Sequence, residues 1–85
     1  MPRYFFHVAD GCDYPDLQGT ELANLSAARQ EALRFTGMLL SEKSESFWSG
    51  EEWVMRIADA HDLTLFTLTC LANDAPAVGG SKNAV

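Results

Sequence analysis

Residues 52–71, EWVMRIADAHDLTLFTLTCL, decide the fold of this chain. They contain two runs with the composition of β-strands, residues 52–59 and residues 63–71, and the second run has no charge, proline or glycine. Side chains alternate between the two faces of a strand, so one face of the first run is entirely apolar. That face carries Trp53, Met55 and Ile57.

A short connection between the two runs predicts an antiparallel hairpin. Taking Ala60-His61 as a two-residue turn fixes which residues lie opposite each other. The resulting pairs are Ile57 with Thr64, Met55 with Phe66 and Trp53 with Leu68. Because this register puts the apolar side chains of both strands on one shared face, the sequence favours the hairpin.

The chain before this hairpin predicts two strands and one helix. Residues 3–9, RYFFHVA, are short and aromatic, which is typical of a strand. An Asp-Gly turn follows, and the polar residues 16–22 predict a short edge strand. Residues 25–43 predict an amphipathic helix, capped by Asn24 or Ser26. Its apolar stripe, spaced by three and four, consists of Leu25, Ala28, Ala32, Phe35 and Leu39.

The element order predicts an α+β fold with a single helix packed on a four-stranded sheet. The second and third strands carry the charges, and charged strands are typical of sheet edges. The predicted order is therefore 2-1-4-3, as in a β-grasp domain, with strands one and four parallel. The alternative order 2-1-3-4 leaves the uncharged fourth strand at an edge, where it favours aggregation. In the preferred order, Phe6 and Phe66 meet beneath Ala32 and Phe35 of the helix.

Length and composition limit the classes of protein to consider. The 85 residues suffice for one domain, predicted as residues 1–72, with a flexible tail at 73–85, where the periodic pattern has stopped. A net charge of −6 argues against nucleic-acid or anionic-membrane binding, and no apolar run is long enough to span a bilayer. Cys12 and Cys70 make no disulfide framework, so we expect a cytoplasmic protein.

Four short segments stand out in combination: MPRYFFHV (1–8), GTEL (19–22), WSGEEW (48–53) and LFTL (65–68). With these segments, residues 1–71 resemble a family of small uncharacterised alpha-proteobacterial proteins, a domain of unknown function. The resemblance implies a fold unit and assigns no catalytic residue. Members have a glycine in the turn between the last two strands, where this chain has Ala60-His61-Asp62.

Pro2 is the candidate catalytic residue. Removal of Met1 leaves its secondary amine at the head of a strand, and the opening MPRYF is similar to that of tautomerases of the macrophage-inhibitory-factor type. In those enzymes such a proline is the general base, which needs a cation nearby to depress the pKa of the amine, and here Arg3 or Arg56 would supply it. Those enzymes pass directly from the first strand to a helix, whereas this chain inserts a second strand.

The sequence predicts no cofactor and no metal site. The acidic stretch 10–21 has the length of a calcium-binding loop, but required positions hold unsuitable residues, namely Cys12, Tyr14 and Pro15. A zinc site would need paired spacing of its ligands. The available residues lack that spacing: His7, His61, Cys12 and Cys70.

The sheet face away from the helix is expected to be apolar, with Phe5, His7, Val54, Leu63, Leu65 and Leu71 on it. A solvent-facing sheet normally alternates with polar residues, so we expect a protein to cover this face. A second copy, related by a twofold axis with Phe5 at its centre, is the simplest partner. Trp48 is a further candidate anchor.

These patterns favour a small non-enzymatic protein-interaction or self-associating module. One alternative is a tautomerase-like enzyme that uses Pro2. The other is an acidic, antitoxin-like regulator that binds a basic protein through the negative surface.

Overall fold

A computed structural model describes residues 1–43, 46–49, 52–72 and 75 of the chain. The elements follow in the order β1 (Arg3–Ala9), β2 (Asp13–Tyr14), β3 (Thr20–Glu21), α1 (Leu25–Glu42), a 3-10 turn (Ser46–Ser49), β4 (Trp53–Ala58) and β5 (Thr64–Cys70). The fold is α+β, as predicted, with one helix among the described residues. The tail predicted at 73–85 lies outside the described residues, apart from Ala75.

The sheet is antiparallel throughout, with the order β2-β1-β4-β5 and with β3 also paired to β1. The predicted β-grasp order is therefore wrong, because β4 lies between β1 and β5 and no pair is parallel. The alternative order placed the central strands correctly. The edge argument failed because Arg56, the charge within β4, projects from the sheet face rather than from an edge.

Helix α1 begins where the sequence indicates. Asn24 caps it, since its side-chain oxygen accepts a hydrogen bond from the Ala27 backbone N–H at 2.9 Å. Ala28 and Ala32 are fully buried against the sheet, because small side chains let the helix approach the strands closely. Thr36 contacts the sulfur of Met55 at 3.8 Å. The helix therefore covers one face of the sheet and leaves the other without a helix.

The core centres on β4. Its residues Trp53, Met55 and Ile57 are essentially inaccessible to solvent, with Tyr4 and Phe6 of β1 beside them. This confirms the predicted face of each strand. Phe6 and Phe66 are not on neighbouring strands, because both pair with Ile57, one from each side, although Phe66 packs against the cluster that contains Phe6. Phe6 packs edge-to-face on Phe35.

The β4–β5 hairpin forms with a register two residues away from the predicted one. Ile57 lies opposite Phe66 and Met55 opposite Leu68, because the connection is longer than a two-residue turn. The Asp59 carboxylate accepts hydrogen bonds from the backbone N–H groups of His61 and Leu63, which holds the wider loop. A shift of two residues leaves every side chain on the same face of the sheet, so the predicted core residues of the hairpin are still the ones that face the helix.

The second predicted strand, residues 16–22, is replaced by two short pairings with β1. Tyr14 of β2 lies opposite Val8, and Thr20 of β3 lies opposite Tyr4. Between them the chain leaves the sheet in a turn that contains Asp16 and Gly19. This turn crosses the edge of the sheet and shapes the site described next.

Candidate functional site

An open groove of about 620 Å³ lies where β2 folds back against β1. Because β1 and β4 are antiparallel, His7 stands opposite Arg56 and Ala9 stands opposite Val54, all on the helix-free face. Strand β2 and the next residue, Pro15, close one side. The full lining is His7, Val8, Ala9, Asp13, Tyr14, Pro15, Val54, Arg56 and Asp62.

Asp16 organises the wall of this groove. Its carboxylate accepts hydrogen bonds from three backbone N–H groups, those of Phe6 (3.1 Å), Gln18 (3.1 Å) and Gly19 (3.0 Å). Partial burial alone would raise the pKa of Asp16, but these donors outweigh it and hold the pKa below its ordinary value. Asp16 therefore remains a carboxylate that bridges the turn to β1.

His7 is fixed at both ring nitrogens. Its Nδ1 accepts a hydrogen bond from the Asp16 backbone N–H at 3.0 Å, which assigns the proton of the neutral ring to Nε2. Nε2 lies 3.8 Å from a carboxylate oxygen of Asp62. The ring stacks on Phe5 with a centroid distance of 6.4 Å. The one nitrogen lone pair of this neutral ring, on Nδ1, is occupied by the Asp16 N–H, so His7 is placed as a wall residue of the groove.

Arg56 and Asp62 form the polar side of the groove. The Arg56 guanidinium lies 3.1 Å from Asp62 Oδ1 and donates to the Thr64 hydroxyl at 3.0 Å. Asp62 has a φ of 62°, a left-handed conformation in which glycine is favoured. This conformation places the Asp62 carboxylate at the groove.

Lys43, at the C-terminal end of α1, holds the Tyr14 ring on the helix side of β2. The Lys43 ammonium lies 5.1 Å from the centre of the Tyr14 ring and 2.7 Å from the Asp10 carboxylate. The hydrogen bond with Lys43 lowers the pKa of Asp10, and the pKa of Lys43 is raised by the same contact. The C-terminal end of the helix thereby fixes the β1–β2 turn.

The predicted interaction residues do not all come together. Phe5, His7 and Val54 share the helix-free face through their pairing positions, and Leu63 is 62 % exposed in the loop beyond Ala58. Leu65 is the extra residue of a bulge opposite Ile57 and Ala58, and it packs against the core cluster.

Two further candidates lie elsewhere. Trp48 belongs to the 3-10 turn, is 64 % exposed and packs edge-to-face on Phe47. Leu71 follows the end of β5 and is exposed. Neither residue lines the groove, so the apolar surface is divided into separate parts.

Phe5 is partly buried, and the turn at Gly19 packs closely on its ring. Gly19, at φ +74°, lies so close to the ring that a Cβ there would be 2.8 Å from Phe5 Cε2. A side chain at this position would therefore have to displace the turn or the ring, on top of the strain of its backbone conformation.

Pro2 is exposed, and its carbonyl accepts a hydrogen bond from the Leu22 backbone N–H. The Arg3 guanidinium lies 3.1 Å from Glu21 and also donates to the carbonyls of Gln18 and Gly19. The other candidate cation, Arg56, stands opposite His7, about 16 Å along the strand from Pro2. Of the two candidate cations, Arg3 is therefore engaged with the β3 region and Arg56 is far from the Pro2 amine.

The described residues contain no group of three or more His, Cys, Asp or Glu side chains arranged to hold a metal ion. Both cysteines are unpaired; Cys12 is exposed and Cys70 is partly buried. Within the described part of the chain, no helix combines the length and the hydropathy required to cross a bilayer.

Several groove residues were missed by the sequence analysis. The order Pro15-Asp16, followed by Gly19, is the signature of a turn closed by an aspartate side chain, and it could have identified Asp16. Arg56 and Asp62 come together only because the hairpin loop is five residues long. The predicted two-residue turn does not bring these two side chains together, so the local sequence gave no indication of their contact.

A family model described as Domain of unknown function (DUF6894) matches residues 3–72. The chain belongs to this family. No curated protein and no solved structure matches the chain. The family covers both sides of the groove, from β1 to β5, and attaches no activity to it.

Proposed function

We propose that this protein is a small, non-enzymatic, cytoplasmic interaction module that holds a basic segment of another protein in the groove. The observation that carries this proposal is the open groove of about 620 Å³ between β2 and the helix-free face. Its floor is apolar at Ala9 and Val54, and β2 with Pro15 forms its wall. Open clefts with an apolar floor and a polar rim suit an extended peptide.

The chemistry of the rim favours binding over catalysis. His7 Nδ1 accepts the Asp16 N–H, and the Arg56 guanidinium is already paired with Asp62. A histidine general base needs a lone pair available to the substrate, and His7, the one described histidine in the groove, has that lone pair occupied.

The charge of the molecule favours a basic partner. Asp13 and Asp62 line the groove, while Arg56 is its one described Lys or Arg side chain, and the whole chain carries −6. Complementary charge raises the rate of encounter and helps to exclude acidic partners. Lysine or arginine residues that flank an apolar side chain would match this pattern.

Selection from a random peptide library displayed on phage tests the proposal directly. We expect peptides with an apolar residue flanked by Lys or Arg to be enriched on the wild-type protein. Their affinity, measured by calorimetry, should fall about tenfold or more in Val54→Lys, which fills the groove and adds positive charge. Leu33→Lys is the matched control, since Leu33 is a 64 % exposed leucine on the helix.

Two results would count against the groove. One is the absence of any peptide enriched on wild type over Val54→Lys. The other is a set of peptides whose affinity is the same in Val54→Lys, or does not weaken as salt is raised.

A further inference from the structure

Strand β5 is the end strand of the described sheet, and its sequence has no charge or proline that would prevent another strand from pairing with it. Its seven residues, TLFTLTC, include no charge and no proline. Natural sheets protect an exposed edge with lysine, proline, bulges or short strands. Here the one irregularity falls at the start of β5, beside Ala58, and the pairing from Phe66 to Cys70 is regular.

The core is incomplete on this side of the sheet. The apolar β5 residues that face α1 are only partly buried, whereas their partners on β4 are inaccessible. The pairs are Phe66 with Ile57, Leu68 with Met55 and Cys70 with Trp53. On the described helix, the Arg29 guanidinium lies 5.8 Å from the centre of the Phe66 ring. A row of half-covered apolar side chains therefore accompanies the open edge.

We propose that β5 pairs antiparallel with β5 of a second copy, across a twofold axis at Thr67. Thr67 is the midpoint of the strand, so this register lets all seven residues pair. It sets Phe66 opposite Leu68 of the second copy, on the face of the helix. The partly buried β5 side chains of one copy then lie beside those of the other, and the two sheets form one continuous sheet.

The second copy fits this edge better than a charged partner does. The edge offers backbone N–H and C=O groups with the spacing that only another strand reproduces, and β5 has no charge for an oppositely charged partner to bind. A strand of seven residues spans about 23 Å, which places the contact among small, reversible interfaces. The groove spans β2, β1 and β4 on the helix-free face, whereas this contact uses the outer edge of β5, so the inference goes beyond the proposed function.

Sedimentation analysis of the full chain between about 5 and 500 µM tests the association, because small interfaces dissociate within that range. We expect the wild-type mass to rise from one chain to two. Raising the salt concentration should strengthen the dimer, since it screens the repulsion between two chains of charge −6. Thr67→Lys places two like charges opposite each other and should weaken the dimer at least tenfold, while Leu33→Lys should dimerise like the wild type.

Cross-linking tests the register without relying on the lysine variant. In a Cys12→Ser, Cys70→Ser background, Thr67→Cys should form a disulfide-linked dimer on mild oxidation, because the two Cα atoms face each other across the axis. Thr69→Cys is the matched control and should cross-link at least tenfold more slowly, since its counterpart lies four residues away along the strand. A wild type that stays monomeric at the highest concentration would overturn the proposal. Equal cross-linking of the two cysteine variants would overturn the register.

Discussion

Asp16→Ala is expected to destabilise the protein more than any other single change of an acidic residue. The Asp16 side chain occupies the gap between β2 and β3, where it takes the place of a strand partner for the Phe6 N–H. Alanine would leave that N–H, within a nearly buried residue, without an acceptor. It would also release the turn at Gln18 and Gly19.

The size of the effect follows from the burial of each donor. A hydrogen bond to a charged group contributes about 1.5–3 kcal/mol, and the partly buried bond to Phe6 falls in this range. The exposed Gln18 N–H can bond to water instead, so it adds on the order of 0.5 kcal/mol, and the partly buried Gly19 N–H adds about 1 kcal/mol. Asp16→Ala should therefore lower the free energy of unfolding by roughly 3–4.5 kcal/mol, out of the roughly 4–13 kcal/mol expected for a domain of this size.

The pH dependence of stability distinguishes the charge of the Asp16 side chain from its shape. Because the pKa of Asp16 is lower in the folded protein than its ordinary value of 3.8, its contribution is complete above that pH. The contribution is lost as the pH falls through the folded pKa. Asp16→Asn keeps one acceptor oxygen but no charge, so the stability gap between wild type and Asp16→Asn should be largest at neutral pH and should shrink below about pH 4.

Urea unfolding, followed by the fluorescence of the buried Trp53, measures both effects. Asp13→Ala is the matched control, because Asp13 is an exposed aspartate in β2, on the same segment. A midpoint for Asp16→Ala that equals the midpoint for Asp13→Ala would refute the role given to Asp16. So would a gap between wild type and Asp16→Asn that stays constant from pH 7 to pH 3.

Two further changes test the core and the chain end. Phe6→Ala should lower the free energy of unfolding by about 3–5 kcal/mol, measured in urea. Phe66→Ala should lower it clearly less, because Phe66 is only partly buried. Equal losses for the two variants would mean that the β5 edge is already covered. Deleting residues 75–85 should leave the melting temperature almost unchanged by calorimetry, since the apolar periodicity has stopped before them; a fall of many degrees would show that these residues pack.

The parts of the fold that depend on periodicity were predictable. The spacing of Ala28 and Ala32 placed the buried face of the helix, and the alternation through Trp53, Met55 and Ile57 placed the buried face of β4. Side-chain period is a local property, so one sequence is enough to determine it. Asn24 likewise marked the helix start through its own hydrogen bond.

Sheet order was not predictable in the same way. The argument from charge assumed that an uncharged strand is kept inside the sheet, and β5 breaks that rule. Neighbouring strands are selected by loop lengths and by long-range packing, which the composition of a strand does not record. The groove was missed for the same reason, because it exists only when β1 and β4 are neighbours and His7 faces Arg56.

The pairing of β1 with β4 also governs how the chain folds as it is made. Residues 10–52 separate the two strands, and at roughly 5–20 residues per second their synthesis takes on the order of 2–9 s. During that interval Phe6 and Val8 have α1 to contact but no central strand beside them. The β4–β5 hairpin has only a short loop to close, so it forms early and presents a template to β1. Refolding should therefore be slower than is usual for so short a chain, with β1 docking last.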